Sequence, residues 1–175
     1  MLKNGERNGW VNITAPKLSE GYSHVLKIDD REPAKFVEMI VDNCTIPVEI
    51  VRMKTGDYVC EDVGIERKKL SDFVGSFTSG KKRLWKQCDR MKKEFKYPYV
   101  VISNKTTEID SMVSEHAIIG AIAALATPTF YPNGTVASPG MSVVKVDSDE
   151  QLAYLILKIF SRHKKLSLPS ELVNI

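Results

Sequence analysis

No stretch of this sequence is apolar for long enough to cross a bilayer. The longest such run, Ala117 to Ala126, is only ten residues and is broken by Gly120; a spanning helix needs about twenty. The first residues, MLKNGERNGW, lack the apolar core of a secretory signal. Cysteine is scarce: Cys44, Cys60 and Cys88 are odd in number and far apart. They do not make a disulfide framework and suit reduced thiols inside a cell. His24, His116 and His163 are equally scattered, so no zinc-site spacing exists. The expected setting is intracellular (cytoplasm, nucleoid or nucleus), with no secretion and no membrane partner.

What is present is ordinary globular composition. The chain has 175 residues, 43% of them apolar and 27% charged, enough for one domain with a full core. The net charge is only +3, but it is unevenly spread. Lys81, Lys82, Arg83, Lys86, Arg90, Lys92, Lys93 and Lys96 face only Asp89 and Glu94, so this segment carries +6 and the remainder −3. A basic helix on an acidic body points to a polyanion partner. The plainer reading is a solvated lysine-rich face.

The pattern along the chain alternates between strand and helix. Val25 to Asp29 reads as a short strand, Pro33 to Asp42 as an amphipathic helix, and Ile46 to Met53 as a β-branched strand. Tyr58 to Cys60 and Val63 to Glu66 form two apolar runs around a tight Glu61-Asp62 turn. Helices follow over Lys69 to Ser79 and Lys81 to Phe95, the second ended by Tyr97-Pro98. Tyr99 to Ser103 reads as a buried strand. Ser114 caps a helix reaching Ala126, and Thr127 to Gly140 reads as loop or short irregular strand. Ser142 to Val146 is a strand, and Asp147 or Ser148 caps a last helix. This order defines an α/β domain with a largely parallel or mixed sheet. Residues 1–23 are expected to be an irregular arm, 24–165 the domain and 166–175 a polar tail.

The chemistry is concentrated in GDYVCEDVGIERKKLSD, Gly56 to Asp72. In a strand, residues i and i+2 share a face. Glu66 and Lys68 therefore project together, with Arg67 opposite. A hairpin that brings Asp57 alongside would gather two carboxylates and one ammonium. Hard oxygen ligands suit Mg2+ or Mn2+, and a lysine beside them can orient water and offset phosphate charge. That is equipment for metal-assisted phosphodiester hydrolysis. A surface hairpin with ordinary salt bridges is the plainer reading of three residues alone.

The match is longer than three residues. The GD, eight-residue gap, ERK and Asp72 arrangement resembles the GD…ERKxxxD signature of the XPF/Mus-type structure-specific endonucleases, a branch of the PD-(D/E)xK nucleases. IDDRE (Ile28 to Glu32) resembles that family's segment at the end of the first strand, YPYVVIS its buried strand, and IIGAIA its small-residue helix. The resemblance spans about residues 25–164. It implies a restriction-endonuclease-like three-layer domain, a central mixed sheet flanked by helices. It implies that Asp57, Glu66 and the backbone carbonyl of Arg67 hold Mg2+, with Mn2+ able to substitute. Asp29 would act near the metal through water, and Lys68 would hold or activate the attacking water. Arg31, Glu32, Arg67 and Asp72 would form the supporting shell, although Arg67 and Asp72 could simply pair with each other. Lys82, Lys86, Arg90 and Lys93 would face DNA.

The expected activity is Mg2+-dependent cleavage of DNA at flaps, forks or nicked junctions, in repair or recombination. Two alternatives stand beside it: a catalytically silent DNA-structure-binding scaffold module, and another PD-(D/E)xK repair or recombination nuclease. The family's tandem helix-hairpin-helix domain has no counterpart in this sequence, so a separate DNA-binding partner is expected to replace it. Family nuclease domains commonly pair through their last helices, and Leu152, Leu155, Ile156, Ile159 and Phe160 suggest a homodimer there. A wholly core helix is the competing reading.

Overall fold

The computed structural model describes residues 24–78, 81–104, 113–138 and 140–166, without the side chains of Thr78, Lys81, Lys82 and residues 136–138. The proposed arm, residues 1–23, lies outside the described residues, as does the tail from 167 onward. Leu166, placed in the tail by sequence, is instead packed into the core.

Six strands make one mixed sheet. The edge strand β2 (Val48–Val51) runs parallel to β1 (Leu26–Asp29), and β1 pairs antiparallel with β3 (Tyr58–Cys60). A hairpin joins β3 to β4 (Val63–Lys69), which runs parallel to β5 (Tyr97–Ser103); β5 is in turn parallel to β8 (Ser142–Lys145). The hairpin has the two-residue turn that the sequence suggests, with Cys60 opposite Val63. Glu61 takes the left-handed φ of +52° that such turns demand. A glycine would do this without strain; here Lys165 ties the turn down through Glu61 at 2.6 Å and Asp62 at 2.8 Å.

Alternation along the strands sorts the core into two layers. Leu26, Ile28, Tyr58, Cys60, Val63, Ile65 and Val101 point to one face, covered by α1 (Ala34–Val41) and α5 (Asp149–Arg162). Val100 and Ile102 point to the other, covered by α2 (Leu70–Thr78), α3 (Lys81–Glu94) and α4 (Glu115–Ala126). The period of two in β5 is thus the reason one strand can serve both layers. Gly64 lets α3 lie close to β4: a Cβ there would meet the Phe95 ring at 2.2 Å.

Three details sharpen the sequence reading. Tyr97-Pro98 does not merely end a helix; both residues belong to β5. Pro98 has a partner only on the β4 side, because β8 begins to pair at Tyr99, and a residue without an N–H is tolerated at such a place. Residues 127–140 contain a small ribbon, β6 (Thr129–Phe130) antiparallel to β7 (Val136–Ser138). Finally, the apolar residues of α5 are core. Leu152, Ile156 and Phe160 are fully buried, Ile159 nearly so, and Leu155 is half-buried. They offer no free face for a second copy. Among the described residues, the exposed large apolar side chains lie elsewhere, at Ile119 on α4 and at Phe130 and Tyr131.

Candidate active site

The site forms where the β3–β4 hairpin opens. Gly56, at φ +75°, turns the chain just before β3. The backbone N–H of Asp57 then donates to the Ile65 carbonyl at 2.8 Å. One step further along β4 no strand carbonyl is available, and the Asp57 carboxylate takes its place, its Oδ2 accepting the Arg67 N–H at 2.8 Å. An extended residue points its N–H and C=O to the same edge, so the Arg67 carbonyl opens toward the Asp57 side.

The i, i+2 expectation for β4 holds. Glu66 and Lys68 lie together on the α3 face, and Lys68 Nζ donates to Glu66 Oε1 at 3.0 Å. Arg67 projects to the opposite face, where its guanidinium donates to Glu32 Oε2 at 2.6 Å and lies over the Phe36 ring, 5.5 Å from its centre. Tyr58 also donates to Glu32. The alternative pairing of Arg67 with Asp72 therefore does not form: Glu32 is the partner. Asp72 sits exposed in the first turn of α2, a favourable place for a negative charge. It lines a cleft of about 410 Å³ with Lys68, Ser71, Arg83 and Gln87.

Asp29 is more completely engaged than a water-mediated metal contact requires. Its Oδ1 accepts the Arg31 N–H at 2.9 Å and Nε at 2.6 Å, and its Oδ2 accepts Arg31 Nη2 and the Met53 N–H, both at 2.8 Å. Burial works against its charge, but the bonds from Arg31 and Met53 hold its carboxyl below the usual range. In this arrangement Asp29 secures the end of β1, and its own N–H donates to the Asp57 carbonyl at 2.9 Å.

Asp57 and Glu66 are in the opposite electrostatic position. Burial, then the neighbouring carboxylates of Glu66 and Glu32, push Asp57 up to about 8 from its ordinary 3.8. Burial also raises Glu66, against the pull of Lys68. Two carboxylates that raise each other's cost of ionising are what a divalent cation relieves. Among the described residues no set of three His, Cys, Asp or Glu side chains could hold a metal. The available donors are two carboxylates and a backbone carbonyl, which leave room for water. That set fits Mg2+ or Mn2+ and does not fit a closed zinc site.

Gln87, which the sequence reading passed over, completes the cluster. It accepts from Lys68 Nζ at 2.9 Å and donates to Glu66 Oε1. Of the expected DNA-facing residues, Lys86, Arg90 and Lys93 line one surface hollow on α3 together with Arg83 and Asp89. The side chain of Lys82 lies outside the described residues. Arg83 lines both this hollow and the cleft beside Lys68, so basic surface runs continuously to the site.

The mixed sheet and the Glu66-x-Lys68 face define an α/β domain with the architecture of XPF nuclease domains. Solved structures of that type include XPF from Aeropyrum pernix, with a TM-score of 0.61 at 20% identity over 80% of this chain and 64% of that one. The same protein in complex with DNA matches with a TM-score of 0.56 over the same shares. The chain belongs to the ERCC4 domain family, which it matches over residues 28–129. Curated relatives include the DNA repair endonuclease XPF of Cricetulus griseus, 33% identical over 103 residues, covering 54% of this chain and 11% of that protein. The protein of that name from Dictyostelium discoideum is 34% identical over 76 residues, covering 43% and 8%. The chain thus spans about a tenth of the length of these relatives.

A carboxyl raised on folding binds its proton more tightly in the folded state. Its cost to stability is absent below about pH 4 and grows as pH rises toward 8. Metal-free protein should therefore lose more thermal stability between pH 4 and 8 than Asp57→Asn does, and added Mg2+ should remove the difference. Melts in EDTA and in Mg2+ across this range check it; parallel curves for the two proteins would contradict the coupling.

Proposed function

We propose that this domain is a divalent-metal-dependent DNA endonuclease acting at branched structures. The observation that carries the reading is the Glu66–Lys68 pair beside Asp57, with Lys68 lining a cleft that shares Arg83 with the basic surface of α3. A bound Mg2+ would draw charge from the scissile phosphate and make water a better nucleophile. Asp57, Glu66 and the Arg67 carbonyl are the residues that would hold it. Lys68 offers its one remaining N–H bond to the attacking water or a phosphate oxygen. Arg83, Lys86, Arg90 and Lys93 would bind the backbone of the duplex, and Glu32, Tyr58 and Arg67 keep β3 and β4 in register behind the site. A silent scaffold would not need this full set, and every position of it is filled. Asp29 would approach a metal through water once Arg31 released one of its oxygens.

Cleavage of labelled flap, fork, Holliday-junction, linear and single-stranded DNA is expected to require Mg2+ or Mn2+. Asp57→Asn and Glu66→Gln should abolish it while Ca2+-supported DNA binding survives. Undiminished cutting in EDTA would remove the metal from the account.

Binding by α3 makes a separate, salt-dependent prediction. Replacing Lys86, Arg90 and Lys93 by Ala should weaken binding to all sequences alike. The slope of log affinity against log salt should drop by about three, roughly one per lost phosphate contact. An unchanged slope would make these residues a solvated face.

Pairing of two copies belongs to this reading but moves from α5 to α4. Ile119 is 57% exposed, Phe130 66% and Tyr131 58%, and Ala117, Ala123 and Ala124 lie exposed on the same helix as Ile119. Light scattering at micromolar concentration should give twice the 19.7 kDa chain mass, and Ile119→Glu should return it to one. A single-chain mass that does not rise with concentration would rule pairing out.

A further inference from the structure

The helix that carries the basic surface also reaches into the site, through Gln87. Its amide oxygen accepts Lys68 Nζ at 2.9 Å, and its amide nitrogen donates to Glu66 Oε1. Lys68 donates to the same Glu66 oxygen at 3.0 Å. The three side chains close a ring of hydrogen bonds. Turning the amide over would set its NH2 against an ammonium and its oxygen against a carboxylate, so the charges dictate the orientation.

Two consequences follow from that ring. Glu66 Oε1 receives two donors, which leaves Oε2 as the oxygen free to take a cation. Lys68 is held by two acceptors on different elements, β4 and α3, which fixes a long side chain that otherwise has many rotamers. No other side chain of this length does both tasks. A carboxylate at 87 would keep the acceptor and set a second negative charge against Glu66. An apolar side chain would supply neither bond. Gln87 stands one turn from Arg83, and both line the cleft beside Lys68. Movement of α3 on binding a polyanion is therefore felt at Lys68.

We propose that Gln87 is a positioning residue for the reaction: it sets Lys68 and Glu66 in the geometry that cleavage uses and ties that geometry to the seating of α3. This rests on the nuclease reading above, so the test has one arm that depends on cleavage and one that does not. Gln87→Met keeps the size of the side chain and removes both hydrogen bonds; Gln87→Glu keeps only the acceptor. Thermal melts verify that both variants fold. In the cleavage arm, kcat should fall by about 10- to 100-fold for each, as for other residues that orient metal ligands, with KM and Ca2+-supported DNA affinity unchanged. In the second arm, on protein without DNA or metal, the side-chain NH3+ resonance of Lys68 in 15N-lysine-labelled protein should shift and lose order in Gln87→Met. A kcat equal to wild type, or a loss matched by an equal loss of DNA affinity, overturns the proposal; the latter would make Gln87 a DNA contact. If the wild-type protein cuts no DNA, the nuclease reading fails, and the Lys68 resonance alone decides. A change there upholds the positioning of Lys68 by Gln87, and an unaltered resonance refutes it.

Discussion

Asp57 and Glu66 repel each other from adjacent strands in a setting that shields neither with water. Their proximity follows from the backbone: the Asp57 N–H is bonded to the Ile65 carbonyl and the Asp57 carboxylate to the Arg67 N–H. The hairpin cannot close in this register without presenting Asp57 beside Glu66. The surrounding charges answer that constraint. Lys68 stands on the Glu66 side, Arg67 and Glu32 neutralise each other behind the sheet, and Arg31 saturates Asp29. Each neighbour of the pair has a counter-ion, whereas among the described residues the Asp57 carboxylate has only the Arg67 N–H. The negative charge left over is concentrated where a cation can use it.

Much of this was readable from residue order. The two-residue period placed Glu66 and Lys68 on one face and Arg67 on the other, and the short apolar runs placed the hairpin turn at Glu61-Asp62 within a residue. What failed did so for long-range reasons. Sequence proximity left an Arg67–Asp72 pair open as an alternative, but these residues lie on different elements, and the strand sends Arg67 through to α1. The five apolar residues of α5 could serve a core or an interface equally well by pattern. Only the burial of Leu152, Ile156 and Phe160 in the layer where α5 meets α1 and β5 decides for the core. The engagement of Asp29 by Arg31 could not be read either, since a carboxylate beside an arginine in sequence is as often free as paired.

Gln87 was missed although a signal existed. It lies three residues after Leu84 and four before Met91, on the same stripe as Leu84, Cys88, Met91 and Phe95. A polar residue on a stripe that packs inward needs a polar partner inside. The useful question was which face it shared, and that face is the one turned toward β4.

The pairing of Arg67 and Lys68 shows why a motif of consecutive residues can organise both sides of a sheet. Adjacent strand positions point to opposite faces, so one cation works in each layer. Arg67, over Phe36 and against Glu32, couples β4 to α1 in the layer that holds most of the core. Lys68, against Glu66 and Gln87, couples the same strand to α3 in the layer that faces the cleft. Exchanging their identities would not be conservative. A guanidinium on the cleft side would be a bulkier, planar donor where a compact point charge meets two acceptors. An ammonium on the core side would lose the paired contact with Glu32 and the stacking on Phe36. The order Glu-Arg-Lys is therefore fixed by the pleat: a carboxylate on the cleft side, a structural cation through the sheet, and a second cation back on the carboxylate's side.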